Sequence, residues 1–267
     1  MTKVLDCTIR DGGHLCNWNF DKKLVEETYL TACKSNIDFF EIGYRTNNNS
    51  NGIYANCNEE IIPKGSSAIV IMVNASDFTP EMFRGNENLF VRVACHNNEI
   101  KQGIEICETL HQNGYGVFLH LMNIDKIEDF TILEAWQNKK ILTSIYFADS
   151  FGALIPNDIE FYYKKLQHIG FENISFHGHN NMQLAFANTL KAIELGAYSV
   201  DATVFGIGRG AGNLPIELLI GHLKTTDPKY YFDLIEKHYT KLNLKWGYNI
   251  QTLKTGLENV HPNKILA

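Results

Sequence analysis

The feature of this sequence that most limits its fold is a series of eight short β-branched or aromatic runs, most of them followed by a helical pattern. Near-continuous apolar runs of this kind suit parallel strands that are covered on both faces. Eight such units within about 225 residues match the size of an α/β barrel. We therefore predict a single (β/α)8 TIM barrel, with a doubly wound sheet as the alternative. The expected strands are 4–9, 39–44, 68–73, 89–95, 116–122, 141–148, 173–178 and 199–205.

Amphipathic patterns predict the helices that cover this barrel. In the first of them, Leu24, Thr28 and Ala32 fall on one stripe while charged residues lie opposite. Residues 224–267 hold two further helical patterns, and we expect a short helical C-terminal extension that packs on a catalytic barrel formed by 1–223. The expected barrel helices are 21–34, 99–112, 157–168, 182–195 and 214–223, followed in the extension by helices near 229–241 and 249–258.

Composition excludes several classes of protein. The 24 Lys and Arg residues are outnumbered by 30 Asp and Glu residues and form no basic run, so we expect no nucleic-acid partner. The chain begins without a secretory signal pattern and has no apolar run of membrane-spanning length, which predicts no membrane association. The six cysteines form no CxxC pair and are expected to be reduced thiols of a cytoplasmic protein.

The ligand site of a parallel α/β fold lies at the carboxyl ends of its strands. At the end of the seventh predicted strand, His177 and His179 are two residues apart, so both imidazoles point to one face and can reach one ion. Neutral imidazole is a common ligand for Zn, Mn, Fe and Co. The alternative is a pair of histidines that cap the strand and bond to loop backbone.

A carboxylate and a guanidinium follow the first predicted strand. Asp11 could supply a hard oxygen ligand and Arg10 an anion-binding group, whereas the alternative is a plain Asp-Gly-Gly turn with Arg10 paired to Glu41. Two histidines and one carboxylate complete a facial metal site with open positions. The two clusters together therefore favour a metal-centred site.

Two more polar clusters follow the sixth and eighth strands. Asp149 and Ser150 could orient a bound carboxylate or hydroxyl, or could instead cap the next helix. The glycine-rich stretch 206–213 also fits GxGxxA, but a dinucleotide fingerprint belongs to an early βαβ unit. Its place after the last strand favours a loop that allows close backbone approach, with Asn213 facing the site.

In this order, the stretches DCTIRDGG, FFEIGYR, FADSFG and FHGHNNMQLAFANTLKAIELGAYSVDATVFGIGRGAGN resemble the DRE-TIM metallolyase superfamily. The resemblance spans residues 6 to 213, and it is closest to the 4-hydroxy-2-oxovalerate aldolase branch. It implies a barrel, a divalent metal ion and an enolate intermediate. By position it implies that Asp11, His177 and His179 are metal ligands, and Asn213 matches a ligand of the CoA-ester branch.

The resemblance also implies catalytic roles. Arg10 would stabilise the enolate oxygen, Glu41 would hold Arg10 in place, and Ser150, with Asp149 beside it, would contact the substrate carboxylate. His14 comes three residues after Asp11, where the aldolase branch has its proposed base. Because an ordinary imidazole titrates near neutrality, we expect His14 to need no large pKa shift for this role.

These observations predict a metal-dependent class II aldolase that reversibly cleaves a 4-hydroxy-2-oxo acid to pyruvate and an aldehyde. Mn²⁺ is the first expectation for the ion, with Mg²⁺, Co²⁺ or Zn²⁺ as alternatives. One alternative function is an acyl-CoA lyase or synthase, whose CoA arm would need the long Asn-rich stretch 45–67. Another is a non-catalytic metal- or carboxylate-binding subunit. A homodimer would be in keeping with the frequency of twofold dimers among soluble oligomers.

Overall fold

A computed structural model describes residues 1–46, 52–84 and 89–261 of the chain. Eight parallel strands pair in sequence order, and β8 pairs with β1, so the sheet closes into a barrel. The predicted (β/α)8 barrel is thus confirmed, and the doubly wound alternative is wrong. The strands are β1 (Lys3–Asp6), β2 (Phe39–Tyr44), β3 (Ala68–Asn74), β4 (Phe90–Cys95), β5 (Gly116–Leu121), β6 (Leu142–Asp149), β7 (Ile174–Gly178) and β8 (Ser199–Ala202).

The interior of the barrel has an apolar floor and a charged upper layer. On β2 and β4, Phe39 and Phe90 belong to a packed aromatic cluster, and Glu41 and Arg92 stand two residues further along. Alternate residues of a strand point to the same face, so both strands carry a charged residue one layer above an aromatic one. The polar layer therefore lies toward the carboxyl ends of the strands.

Nine α-helices are present in the described part of the chain. Two strands end three residues earlier than predicted, β1 at Asp6 and β8 at Ala202. The Asp6 carboxylate accepts a hydrogen bond from the Thr8 amide at 2.9 Å, and the chain turns there into a helix. The helices are α1 (Thr8–Gly12), α2 (Lys22–Lys34), α3 (Ile100–Gln112), α4 (Thr131–Ala135), α5 (Pro156–His168), α6 (Ala185–Glu194), α7 (Ile216–Leu223), α8 (Lys229–Lys237) and α9 (Ile250–Glu258).

The connection between β2 and β3 contains short 3₁₀ turns in its described part, at Ile53–Ala55 and Glu59–Ile61. Part of the predicted long stretch, 47–51, lies outside the described residues. The base of the connection is fixed at the carboxyl end of β2, because the Arg45 side chain donates to the Cys57 carbonyl at 2.7 Å.

The two C-terminal helices pack against different parts of the barrel. In α8, the Tyr231 hydroxyl donates to the Asp6 carboxylate at 3.3 Å. In α9, the Thr255 hydroxyl accepts a hydrogen bond from the Asn181 side chain at 2.5 Å, close to the carboxyl end of β7. We propose that residues 1–223 form the catalytic barrel and residues 224–267 its C-terminal extension. Among the described residues, no helix combines the length and apolar character needed to cross a membrane.

Candidate active site

Asp11, His177 and His179 converge at the carboxyl end of the barrel. Asp11 lies in α1, His177 is the last residue but one of β7, and one carboxylate oxygen of Asp11 is 3.5 Å from Nε2 of each histidine. Neither Asp11 oxygen nor Nε2 of His179 has a hydrogen-bond partner among the described residues, although all are buried. Ligand atoms about 2.1 Å from one ion lie about 3.0–3.4 Å apart. The three residues therefore fit a divalent metal ion.

Both imidazoles are held with Nε2 directed at this point. His177 donates through Nδ1 to the Asp201 carboxylate at 2.9 Å, and His179 donates through Nδ1 to the Asp149 carbonyl at 3.1 Å. Donation from Nδ1 leaves the Nε2 lone pair free for an ion. Burial lowers the pKa of His179 to about 3, so its imidazole is neutral. Neutral imidazole is the form that ligates metals.

Asn213 is placed beside this cluster by the glycine-rich loop. A single antiparallel bridge pairs Asn213 with His179, and the Asn213 amide donates to the Ile207 carbonyl at 3.0 Å. Its side-chain oxygen is buried and has no hydrogen-bond partner in the described part of the chain. Gly212, with φ +80°, allows the turn, since a Cβ there would lie 2.0 Å from a backbone carbonyl oxygen. Asn213 therefore presents an oxygen that suits a further ligand.

A buried chain of charges runs beneath the cluster. Arg10 Nε donates to Glu41 at 2.6 Å, and the other Glu41 oxygen lies 3.0 Å from Arg92 Nε. Arg92 reaches Asp201 at 2.7 Å, which in turn accepts from His177. Burial opposes the charge on Arg10, but Glu41 and Asp11 raise the pKa of Arg10 well above its ordinary value. Alternating signs thus keep both guanidinium groups charged and fixed.

Sequence reasoning missed Arg92 and Asp201. Arg92 stands in the middle of the apolar run LFVRVAC, and Asp201 stands in SVDAT. A charged residue inside a buried strand needs a partner of opposite charge, so such interruptions were the available signal. Only the closed barrel shows that these two residues pair with each other.

His14 sits in an aromatic corner next to Asp11. Its ring centroid lies 4.5 Å from that of Trp18 and 6.2 Å from that of Tyr44. Burial and the positive charge of Arg209 lower the pKa of His14 to about 3. The expectation of an ordinary imidazole pKa is therefore wrong, because enclosure disfavours the charged form. His14 is neutral near pH 7, and its Nε2 is buried without a hydrogen-bond partner among the described residues.

The loop after β6 uses its two predicted substrate residues differently. The Asp149 carboxylate accepts hydrogen bonds from the amides of Ala153 at 2.8 Å and Leu154 at 3.2 Å. Burial raises the pKa of this carboxyl to about 7. Ser150 accepts a hydrogen bond from the Asn123 amide at 2.9 Å and lines an open cavity. Asp149 shapes the loop, while Ser150 is placed where a ligand could reach it.

The cavity has a volume of about 380 Å³ and opens beside His179. Met122 and Phe151 give it apolar walls, Ser150 and Asn181 provide polar groups, and His261 from the C-terminal extension closes one side. A volume near the lower end of the range for small-molecule sites suits a small organic acid.

A family model described as HMGL-like matches residues 93–245. This chain belongs to the HMGL-like family. The resemblance to metal-dependent lyases is thus confirmed, and the chain is an enzyme of the aldolase and lyase type. Its geometry adds a set of buried side chains that can hold the ion.

Individual relatives agree with this assignment. The chain is 28% identical to an oxaloacetate decarboxylase of Mycobacterium tuberculosis, covering 86% of this chain and 74% of that protein. It is 30% identical to a 4-hydroxy-2-oxovalerate aldolase of Carboxydothermus hydrogenoformans, covering 83% of this chain and 70% of the relative. Among solved structures, the N-terminal domain of a protein assigned as an aldolase, from Bacteroides vulgatus, matches with a TM-score of 0.87 and 28% identity, covering 99% of this chain and 95% of that domain.

The HMG-CoA lyase of Bacillus subtilis shares the fold alone. It matches with a TM-score of 0.72 at 13% identity, covering 95% of this chain and 97% of that one. This likeness supports the barrel and carries no argument about the substrate.

Proposed function

We propose that this chain is a divalent-metal-dependent class II aldolase that reversibly cleaves a 4-hydroxy-2-oxo acid into pyruvate and an aldehyde. The observation that carries the proposal is the buried set Asp11, His177 and His179 beside Arg10 and His14, at the edge of a small cavity. Relatives named 4-hydroxy-2-oxovalerate aldolase support the reaction class.

The reaction needs a base, a place for negative charge and a returned proton. Removal of the C4 hydroxyl proton lets the C3–C4 bond break, the aldehyde leaves, and the electron pair stays with the three-carbon fragment as an enolate. A proton added to C3 then gives pyruvate, so no atom is gained or lost. A bound divalent ion would supply Lewis-acid stabilisation of the charge on the oxo oxygen. Mn²⁺ is our first choice, and mixed nitrogen and oxygen ligands also admit Mg²⁺, Co²⁺ or Zn²⁺.

Arg10 is placed to share the developing negative charge. Its Nε is held by Glu41 at 2.6 Å and its Nη1 lies 3.3 Å from Asp11. Its Nη2 is buried and has no hydrogen-bond partner among the described residues. A fixed donor that needs no reorganisation is what stabilises an oxyanion best. We assign this unpartnered N–H group to the enolate oxygen.

His14 is assigned the proton transfer. Its neutral ring can accept the C4 hydroxyl proton through the buried Nε2 and can then return a proton to C3. Ser150 lies on the cavity wall and is assigned to the substrate carboxylate, with Asp149 holding the loop that carries it.

A second candidate is decarboxylation of oxaloacetate. The relative from Mycobacterium tuberculosis is named for this reaction, which also leaves the enolate of pyruvate when carbon dioxide departs. The same Arg10 donor would serve it, whereas the base for a C4 hydroxyl would not be needed. The acyl-CoA alternative has weaker support, since its structural neighbour shares the fold alone.

Proton NMR of pyruvate in deuterated water tests the proposal. The Mn²⁺-treated enzyme should exchange the methyl protons of pyruvate for deuterium, and a chelator present during the reaction should abolish the exchange. The paramagnetic ion is removed after the reaction and before the spectrum is recorded. The Asp11→Asn variant is the matched control, because it keeps the side-chain shape and weakens the ion site. Absence of exchange in a folded, metal-bound sample would refute both pyruvate-based candidates. Cleavage of 4-hydroxy-2-oxovalerate or of oxaloacetate then separates them.

A cytoplasmic location and a homodimeric state complete the proposal. All six cysteines are free thiols, which supports a reducing compartment. Gel filtration with light scattering tests the dimer.

A further inference from the structure

The cavity beside His179 has an unusual charge balance. Among the described residues that line it are an arginine, Arg209, and three histidines, His96, His179 and His261, but no aspartate or glutamate. The whole chain carries a net charge of −6, so a carboxylate-free cavity is a local property of this site. Such a lining favours a negatively charged ligand.

Arg209 is the permanent cation of this cavity. It lies in the loop after β8, at the exposed rim, and the described part of the chain provides no ion pair or side-chain hydrogen bond for its guanidinium. It lines the same cavity as His179 and Ser150. Arg209 and His179 therefore face the same space.

The other arginine of the site is already committed. Arg10 is buried between Glu41 and Asp11, on the side of the metal-ligand set. That position serves the three-carbon half of the substrate. Among the described residues, Arg209 lines the cavity and Arg10 does not. A guanidinium with free N–H groups matches carboxylate and phosphate geometry.

We propose that Arg209 binds a negatively charged group, a carboxylate or a phosphate, on the aldehyde half of the substrate. This inference rests on the proposed aldolase function, and it selects anionic aldehydes over neutral ones as acceptors for pyruvate. In the cleavage direction, the preferred substrate is then a 4-hydroxy-2-oxo acid with a second anionic group at its far end.

A matched pair of uncleavable ligands tests the binding step. 2-Oxoglutarate and 2-oxopentanoate have the same five-carbon 2-oxo acid skeleton, lack the C4 hydroxyl, and differ in a terminal carboxylate against a methyl group. Calorimetry on the Mn²⁺-loaded enzyme should show 2-oxoglutarate binding about 10- to 100-fold more tightly. Arg209→Gln should reduce this ratio to near one, and Arg209→Lys should restore part of it. The ratio should also shrink at about 1 M salt.

Acceptor kinetics separate the two anionic groups. Glyoxylate carries a carboxylate, glycolaldehyde phosphate carries a phosphate, and acetaldehyde is neutral. In Arg209→Gln, the kcat/KM for the acceptor whose anionic group binds Arg209 should fall at least tenfold relative to the kcat/KM for acetaldehyde. Lys140→Gln is the charge-matched control, because Lys140 is exposed beside Glu172 near the start of β6, at the opposite end of the barrel.

Three results would overturn the proposal. Equal affinity of the wild type for the two ligands, or no binding of either, would show that no anion site exists. A 2-oxoglutarate preference that survives Arg209→Gln would place the anion site elsewhere. Equal weakening of both ligands, with slower pyruvate methyl exchange, would assign Arg209 to the pyruvate half. Failure of the aldolase proposal is recognised separately, by absent methyl exchange in the wild type.

Discussion

Arg92 is a fully buried guanidinium, and its replacement should be one of the costliest single changes in the barrel. It pairs with Glu41 at 3.0 Å and with Asp201 at 2.7 Å, and it lies 4.1 Å from the ring centroid of Tyr146. In Arg92→Met the volume is nearly retained, but two buried carboxylates lose their shared cation. Removal of one partner from a buried pair costs about 3–5 kcal/mol, because the remaining charge is left uncompensated.

A double variant shows whether charge is the cause. In Arg92→Met, Glu41 keeps its pair with Arg10, whereas Asp201 loses its arginine. Adding Asp201→Asn removes that carboxylate and should recover about 1–2 kcal/mol of the loss. Arg84→Met is the control, since Arg84 forms an exposed pair with Glu81 and should change stability by less than about 0.5 kcal/mol.

Urea unfolding followed by circular dichroism measures these free energies, with metal ion and chelator each held fixed. The reasoning is refuted if Arg92→Met costs less than about 1 kcal/mol, or if the double variant is no more stable than the single one. The second result would mean that the arginine acts through its packing and not through its charge.

Four further results are expected. His14→Gln should lower kcat for cleavage by about 100-fold or more, measured by pyruvate release, and an unchanged rate would remove His14 from proton transfer. Chelation should lower the melting temperature of the wild type, while Asp11→Asn, which lacks a ligand carboxylate, should respond little. Burial raises the pKa of Asp6 to about 6. Its contribution to the free energy of unfolding is therefore full below the unfolded-state pKa of 3.8 and is lost as the pH rises through about 6. In Asp6→Asn, urea unfolding measured between these pH values should no longer show this decline in the free energy of unfolding. Gly212→Ala should destabilise the protein more than Gly114→Ala. Both glycines have positive φ, but a Cβ at Gly212 would lie 2.0 Å from a carbonyl oxygen, whereas a Cβ at Gly114 would meet nothing within 4 Å. Equal losses of stability in urea unfolding would refute the steric argument.

The barrel and the grouping of Asp11, His177 and His179 could be predicted from sequence, because both follow from local patterns and from the meeting of parallel strand ends at one edge. Apolar runs at regular spacing indicate strands, and two histidines separated by one residue must share a strand face. The carboxyl ends of parallel strands meet at one edge of the barrel. Asp11 was therefore expected to lie near His177, although the two residues are 166 positions apart. Its helix, α1, was missed, because the turn depends on a side-chain hydrogen bond that a strand pattern does not reveal.

The amino-acid sequence by itself determined the number and order of the strands and the grouping of Asp11, His177 and His179 at one edge of the sheet. Only the tertiary structure decided how those groups are charged and paired. Enclosure removed His14 from its ordinary titration range, and closure of the barrel joined Arg92 to Glu41 and Asp201. The physical reason is that electrostatic energies depend on burial and on distances between groups remote in sequence, which appear only when the eight strands close around one interior.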